Sequence, residues 1–126
     1  MYMGDVMAPI NVVLYQYDTR TAQVLASSLS QKSLSVHLAR NHDDLRPTIA
    51  RNRAEVLVLD MEAFTSTEVE QIHNEFPSLS IVCTHRLADD ELWTEALNHG
   101  AADVCIPQKD EVVRSVMREQ AHRAAA

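Results

Sequence analysis

In the stretch EVLVLDMEAF, residues 55–64, the apolar run Val56 to Leu59 leads directly into one carboxylate, Asp60. An unbroken apolar run reads as a strand buried on both faces. A carboxylate at its end stands at the C-terminal rim, where open parallel sheets bind ligands and do chemistry. Asp60 is therefore the first candidate. Either it takes part in chemistry at that rim, or it is a strand-end acid that accepts hydrogen bonds from loop amides or from Thr84. Thr84 ends a second apolar run, SIVCTH, and reads either as a partner of Asp60 or as a hydroxyl satisfying backbone groups. His85, beside it, could supply a cation at mildly acid pH; its plainer reading is an exposed loop histidine. The six histidines show no short pairing of the kind a zinc helix uses. The only glycines are Gly4 and Gly100, so there is no glycine-rich phosphate loop. Cys83 and Cys105 lie in apolar surroundings and read as buried thiols of a reducing compartment rather than as a redox pair.

These residues must be positioned by a framework, and the chain supplies one as short apolar runs alternating with helical patterns. The strand candidates are Ile10 to Tyr17, Leu34 to Arg40, the run ending at Asp60, Ser80 to His85, and ADVCIP. Between and after them lie five helical patterns. The first carries Ala22, Leu25 and Leu29 at helical spacing. The second, DDLRPTIARNR, requires Pro47 in its first turn, because a proline deeper in a helix loses a hydrogen bond and clashes. The third starts at Thr65, with Glu68 at capping-box spacing, and buries Val69, Ile72 and Phe76. The fourth has an acidic first turn and ends at Gly100. The last turns Val112, Val113, Val116 and Met117 inward. Such alternation implies a parallel sheet with helices on both faces, joined by right-handed crossovers. The short outer runs suit sheet edges and the third run suits the centre.

With 126 residues, the chain suits one domain with a full core. Its apolar fraction of 46% and charged fraction of 23% are ordinary for a globular protein. The formal net charge of −7 argues against non-specific nucleic-acid binding by this domain. No apolar run approaches the roughly 20 residues needed to span a bilayer. The expected organisation is a flexible lead-in over 1–9, the domain over 10–121, and a tail or linker start over 122–126. The start of the chain shows no secretory pattern, and the expected location is the cytoplasm.

At this point the chain resembles the receiver domain of two-component response regulators over about residues 10 to 121. The resemblance rests on the five-fold alternation, on Asp60 at the end of the third strand, on Thr84 at the end of the fourth, and on HGAADV before the fifth. It implies a doubly wound α/β fold, a three-layer flavodoxin-like sandwich with strand order 2-1-3-4-5. It implies that Asp60 holds the phosphoacceptor position and Thr84 the switch-hydroxyl position.

Four departures bear on function. Where the family has two adjacent acids at the end of the first strand, which with the phosphoacceptor hold Mg²⁺, this chain has Gln16 and Tyr17, with Asp18 one place later. Gln16 offers one neutral oxygen and Tyr17 is expected to fill the space; Asp18 is an alternative ligand, with Asp60, if the strand is shifted by one. Where the family has a lysine at the end of the fifth strand, Ile106 and Pro107 stand, and Lys109 comes too late. Val104 occupies the aromatic switch position. The loop after Asp60 carries Phe64 and Glu68 where the family has proline and glycine.

Phosphoryl transfer to a carboxylate is mostly electrostatic, so these losses imply an atypical receiver. Such a module acts through protein contacts with a histidine kinase or a downstream effector. No cofactor is expected, and no nucleic-acid or membrane contact. Two alternatives stand beside it: a working receiver, phosphorylated on Asp60 with Mg²⁺, and an α/β domain binding a small ligand. An interaction face is expected on the fourth helix, fifth strand and fifth helix, with Trp93, Glu95, Arg114 and Arg118 near it, through which a homodimer is one arrangement. Trp93 reads either as a core residue or, if Leu92 and Ala96 turn inward, as a partly exposed anchor. Arg46, Arg51 and Arg53 give the second helix a basic, solvated side.

Overall fold

The computed structural model describes residues 10–87 and 89–125; the expected lead-in over 1–9 lies outside them. Five strands alternate with five helices: β1 (Asn11–Tyr15), α1 (Thr19–Ser30), β2 (Ser35–Leu38), α2 (His42–Asn52), β3 (Val56–Asp60), α3 (Ser66–Glu75), β4 (Ser80–Thr84), α4 (Asp90–Asn98), β5 (Asp103–Cys105) and α5 (Lys109–Ala125). All ladders are parallel and the order is β2-β1-β3-β4-β5. This is the doubly wound, flavodoxin-like sheet expected from the alternation. The short runs β2 and β5 form the edges, and β3, buried along its whole length, forms the centre.

Alternation along each strand divides the core into two layers. Val13, Tyr15, Leu57, Leu59, Ile81, Cys83 and Val104 face α2, α3 and α4 through Leu45, Ile49, Val69, Ile72 and Ala96. Val12, Leu14, Val56, Val58, Val82 and Cys105 face α1 and α5 through Leu25, Leu29, Val112 and Val116. The two cysteines thus lie in different layers, on opposite faces of the sheet, and do not pair. Burial pushes both thiols up to about 12, so they are inert hydrophobes.

The helix starts follow the capping logic of the sequence. Thr65 and Glu68 form the reciprocal capping box, and Asp89 caps α4. Pro47 departs from expectation. Asn41 caps α2 and the helix begins at His42, which places Pro47 in its second turn rather than its first. Pro47 and Asp43, whose carbonyl loses its donor there, are both exposed, so the missing bond falls on the solvent side. The Thr48 hydroxyl donates to the Asp44 carbonyl at 2.6 Å, adding a side-chain bond to that turn. Arg46 of the basic side pairs with Glu75 across to α3 at 2.9 Å. Gly100, just past α4, takes a φ of +113° and lies against the His73 ring.

Candidate functional site

The C-terminal ends of β1 and β3 open into a cavity of about 960 Å³, lined by Tyr15, Gln16, Tyr17, Asp18, Thr21, His42, Asp60, Glu62, Ala63, Arg86 and Pro107. Asp60 is only 7% exposed. Its Oδ2 accepts the backbone N–H of Tyr17 at 3.0 Å and its Oδ1 that of Glu62 at 2.8 Å. Both oxygens are therefore engaged by backbone amides. Thr84, the register partner of Asp60 on β4, is fully buried. Its hydroxyl accepts from the Gln16 carboxamide at 2.8 Å.

The residues at the acid positions behave differently from one another. Gln16 is buried and tied to Thr84. Tyr17 does not fill the cavity: its side chain is 81% exposed, and only its backbone N–H reaches Asp60. At a strand end the side chains alternate, so Tyr17 follows the inward Gln16 and turns out. Asp18 is the N-cap of α1. One oxygen takes both the Thr21 N–H, at 2.9 Å, and the Thr21 hydroxyl, at 2.6 Å. The Thr21 hydroxyl, then its N–H, holds the Asp18 carboxyl below its ordinary range. The capping role explains why an acid stands one place after the expected position.

Mg²⁺ needs several oxygen ligands in octahedral geometry. Here both Asp60 oxygens already accept amides, Asp18 gives one oxygen to the helix cap, Gln16 offers only a neutral oxygen, and Tyr17 points outward. Among the described residues no three His, Cys, Asp or Glu side chains are grouped as around a metal. These residues do not fit the ion.

The cation of the cavity comes from an unexpected place. Lys109 opens α5 and lines the groove between α1 and α5 instead, and Pro107 borders the cavity where a lysine is missing. Ile106 beside it is half-buried. His85 is turned onto its own loop, where its Nδ1 accepts the Leu87 N–H at 3.0 Å. Arg86, the next residue, lines the cavity and is gripped by Glu62 through Nε at 2.9 Å and Nη2 at 2.7 Å. That pairing holds the Glu62 carboxyl below its ordinary range and raises Arg86, with Asp60 and Asp18 adding to the effect. Arg86 and Glu62 carry no periodic signal. Their place in the loops at the carboxyl ends of β3 and β4 is the one cue that could have found them.

Beside Asp60, His42 stacks on Phe64 with centroids 3.8 Å apart, and Tyr15 meets Phe64 edge-on at 5.4 Å. His42 Nε2 donates to the Ala63 carbonyl at 2.8 Å, which fastens α2 to the loop after β3. Phe64, in place of the family's small residues, is thus a buried member of the core. Val104, at the aromatic switch position, is buried in the same layer.

Of the residues expected on the interaction face, Glu95 is exposed and accepts from Ser66 of α3, while Arg118 pairs with Asp103 at 3.2 Å. Arg114 is exposed and borders the groove between α1 and α5. Trp93 is half-buried against the core, and its indole N–H is buried without a partner among the described residues. It is a packing residue more than an exposed anchor.

No sequence-family model and no curated protein matches the chain. Solved structures do. The signal receiver domain of an HD domain-containing protein from Pseudomonas fluorescens superposes with a TM-score of 0.83 at 18% identity, covering 99% of this chain and 96% of that one. A two-component response regulator from Clostridium difficile gives 0.79 at 22% identity, covering 93% and 99%. An atypical orphan response regulator with a phosphorylation-independent regulatory mechanism gives 0.76 at 12% identity, covering 87% and 94%. The chain has the receiver-domain fold. Within that fold, Asp60 and Thr84 occupy the ends of adjacent central strands, while the acid pair and the lysine expected around them are replaced. Among the described residues no helix is long and apolar enough to cross a membrane.

Proposed function

We propose that this chain is the receiver module of a response regulator and signals mainly through protein contacts, with Mg²⁺-dependent phosphoryl transfer at Asp60 weakened or lost. The observation that carries this reading is the state of Asp60. Both of its oxygens accept backbone amides, and Thr84 beside it is tied to Gln16. Among the described residues a phosphoryl group arriving there would meet neither a metal cluster nor a free lysine, and the Arg86 guanidinium lining the cavity is bound by both oxygens of Glu62. Charge on the equatorial oxygens would go largely unmet. The likeness to an orphan regulator with phosphorylation-independent control agrees with this reading.

The partners under this proposal are a histidine kinase or a downstream effector in the cytoplasm. They would meet the face formed by α4, β5 and α5, where Glu95 and Arg118 are exposed; a homodimer through that face belongs to the same proposal. Treatment with acetyl phosphate and Mg²⁺, followed by intact-mass spectrometry, tests the chemical half. The expected result is no gain of one phosphoryl mass and no binding of beryllofluoride. A stable adduct that disappears in Asp60→Asn would put the working receiver first. That second reading draws on one observation, the register pairing of Asp60 with Thr84.

A further inference from the structure

The cavity at the carboxyl ends of β1 and β3 has the size and lining of a ligand site. Its volume of about 960 Å³ lies within the roughly 300–1,000 Å³ typical of small-molecule sites. Asp18, Asp60 and Glu62 face one guanidinium, Arg86, across it, which leaves an excess of two negative charges with His42 counted neutral. Arg86 is committed to Glu62 and is not free to draw in an anion. Asp18 uses a single oxygen, Oδ2, for the helix cap, and its Oδ1 makes no hydrogen bond among the described residues.

A second, independent feature points the same way. Tyr15 is only 7% exposed, yet it lines the cavity, and its hydroxyl makes no hydrogen bond among the described residues. Its ring packs in the core while its oxygen opens into the cavity, where a donor can reach it. Burial, then the charge of Asp60, pushes its ionisation up, so the group remains a neutral hydroxyl with lone pairs free to accept.

We propose that this cavity binds a small organic cation carrying an amino or guanidino group, whose N–H donors meet the Tyr15 hydroxyl and the carboxylates of Asp60 and Asp18. The excess negative wall disfavours phosphate. A guanidinium is planar, donor-rich and weakly hydrated. It needs no octahedral oxygen cage, unlike Mg²⁺. The exposed ring of Tyr17 stands at the mouth, where a cation can rest on its face. This inference goes beyond the signalling reading and does not depend on it.

The test is titration of the full chain with agmatine, an alkylamine bearing a guanidino end, at low and constant ionic strength, followed by amide NMR shifts. Saturable shifts confined to the surroundings of Tyr15, Asp60 and Arg86 are expected. Tyr15→Phe keeps the ring and should weaken binding about tenfold, the scale of one hydrogen bond to a charged group. Arg86→Gln makes the wall more negative and should tighten binding. Should Tyr15→Phe fail to fold, Asp18→Asn, at an exposed cap, replaces it and should also weaken binding. The proposal is overturned if shifts fail to saturate by about 10 mM, well beyond a millimolar Kd. It is also overturned if the weakening variant binds as the parent does, if Arg86→Gln does not tighten, or if Mg²⁺ or inorganic phosphate occupies the site at lower concentration than agmatine.

Discussion

Gln16 donates its carboxamide N–H to the Thr84 hydroxyl at 2.8 Å, and both residues are buried. The two strands they end, β1 and β4, are not neighbours; β3 lies between them. The bond therefore bridges the end of the central strand beside Asp60. Thr84→Val preserves shape and leaves the Gln16 amide without its partner. A destabilisation of about 1–3 kcal/mol is expected, the cost of one buried unsatisfied group. It should appear as a lower urea midpoint at unchanged slope. Adding Gln16→Leu should recover part of the loss; equal stability of Thr84→Val and the parent would remove this bond from the account.

Metal binding can be put back where the chain lacks it. Titration calorimetry with Mg²⁺ should show no saturable site tighter than about a millimolar in the parent. Gln16→Asp with Tyr17→Asp should create one, since position 16 then adds a carboxylate beside Asp60 inside the cavity and position 17 another at its mouth. Tyr17 is exposed and its replacement disturbs little packing, whereas Gln16→Asp also breaks the bond to Thr84. The double variant is accordingly expected to be less stable without metal and to regain stability with it. Saturable binding by the parent would favour the working receiver.

Acid should loosen the loops around the cavity through Glu62. Its carboxyl is held below the ordinary range chiefly by hydrogen bonds from the Arg86 side chain. A carboxyl lowered by folding contributes stability that is present above its unfolded value and lost as pH falls through its folded value. Stability of the parent should therefore fall with pH on the acid side of the ordinary Glu range, and Glu62→Gln should flatten that part of the profile. The pair is largely exposed, so the effect is small and also fades in high salt. Identical profiles for the two proteins would contradict the assignment.

Most of the framework was legible because it depends on patterns that survive without coordinates. VLVLD and SIVCT are apolar runs bounded by turns, and Thr65 with Glu68 is a local motif whose geometry is set within one helical turn. Pro47 was misplaced because the rule against proline in a helix concerns lost backbone bonds, and the rule weakens where the carbonyl faces solvent. In the site, Asp60, Thr84 and Gln16 were located by strand register. The outward turn of Tyr17 follows from alternation, yet a strand end read from sequence is uncertain by a residue or two, and one residue reverses the direction. Arg86 and Glu62 meet across two loops 24 residues apart, a contact no local pattern encodes. The stack of His42 on Phe64 likewise joins α2 to the loop after β3.

Gly100 should be intolerant of a side chain. Its φ of +113° is unfavourable for any L residue, and an added Cβ would stand 2.7 Å from Cγ of His73. Gly100→Ala is expected to cost about 1–3 kcal/mol by strain and overpacking, measured by thermal or urea unfolding. His73→Ala in the same background should relieve most of the packing part, since only its Cβ at 3.0 Å remains close, and leave the backbone part. Parent-like stability of Gly100→Ala would contradict this close approach.

The strand order has a kinetic consequence. No two strands that pair are joined by a hairpin; every ladder is separated by at least one helix, and Val12 reaches past α1, β2 and α2 to find Val56. Closing such pairings spends loop entropy before any sheet bond repays it. Until β3 is seated, β1 and β4 each expose an unpaired edge, of the kind that recruits other chains. Arrival of VLVLD between its neighbours is therefore the step on which a clean fold, rather than aggregation, turns.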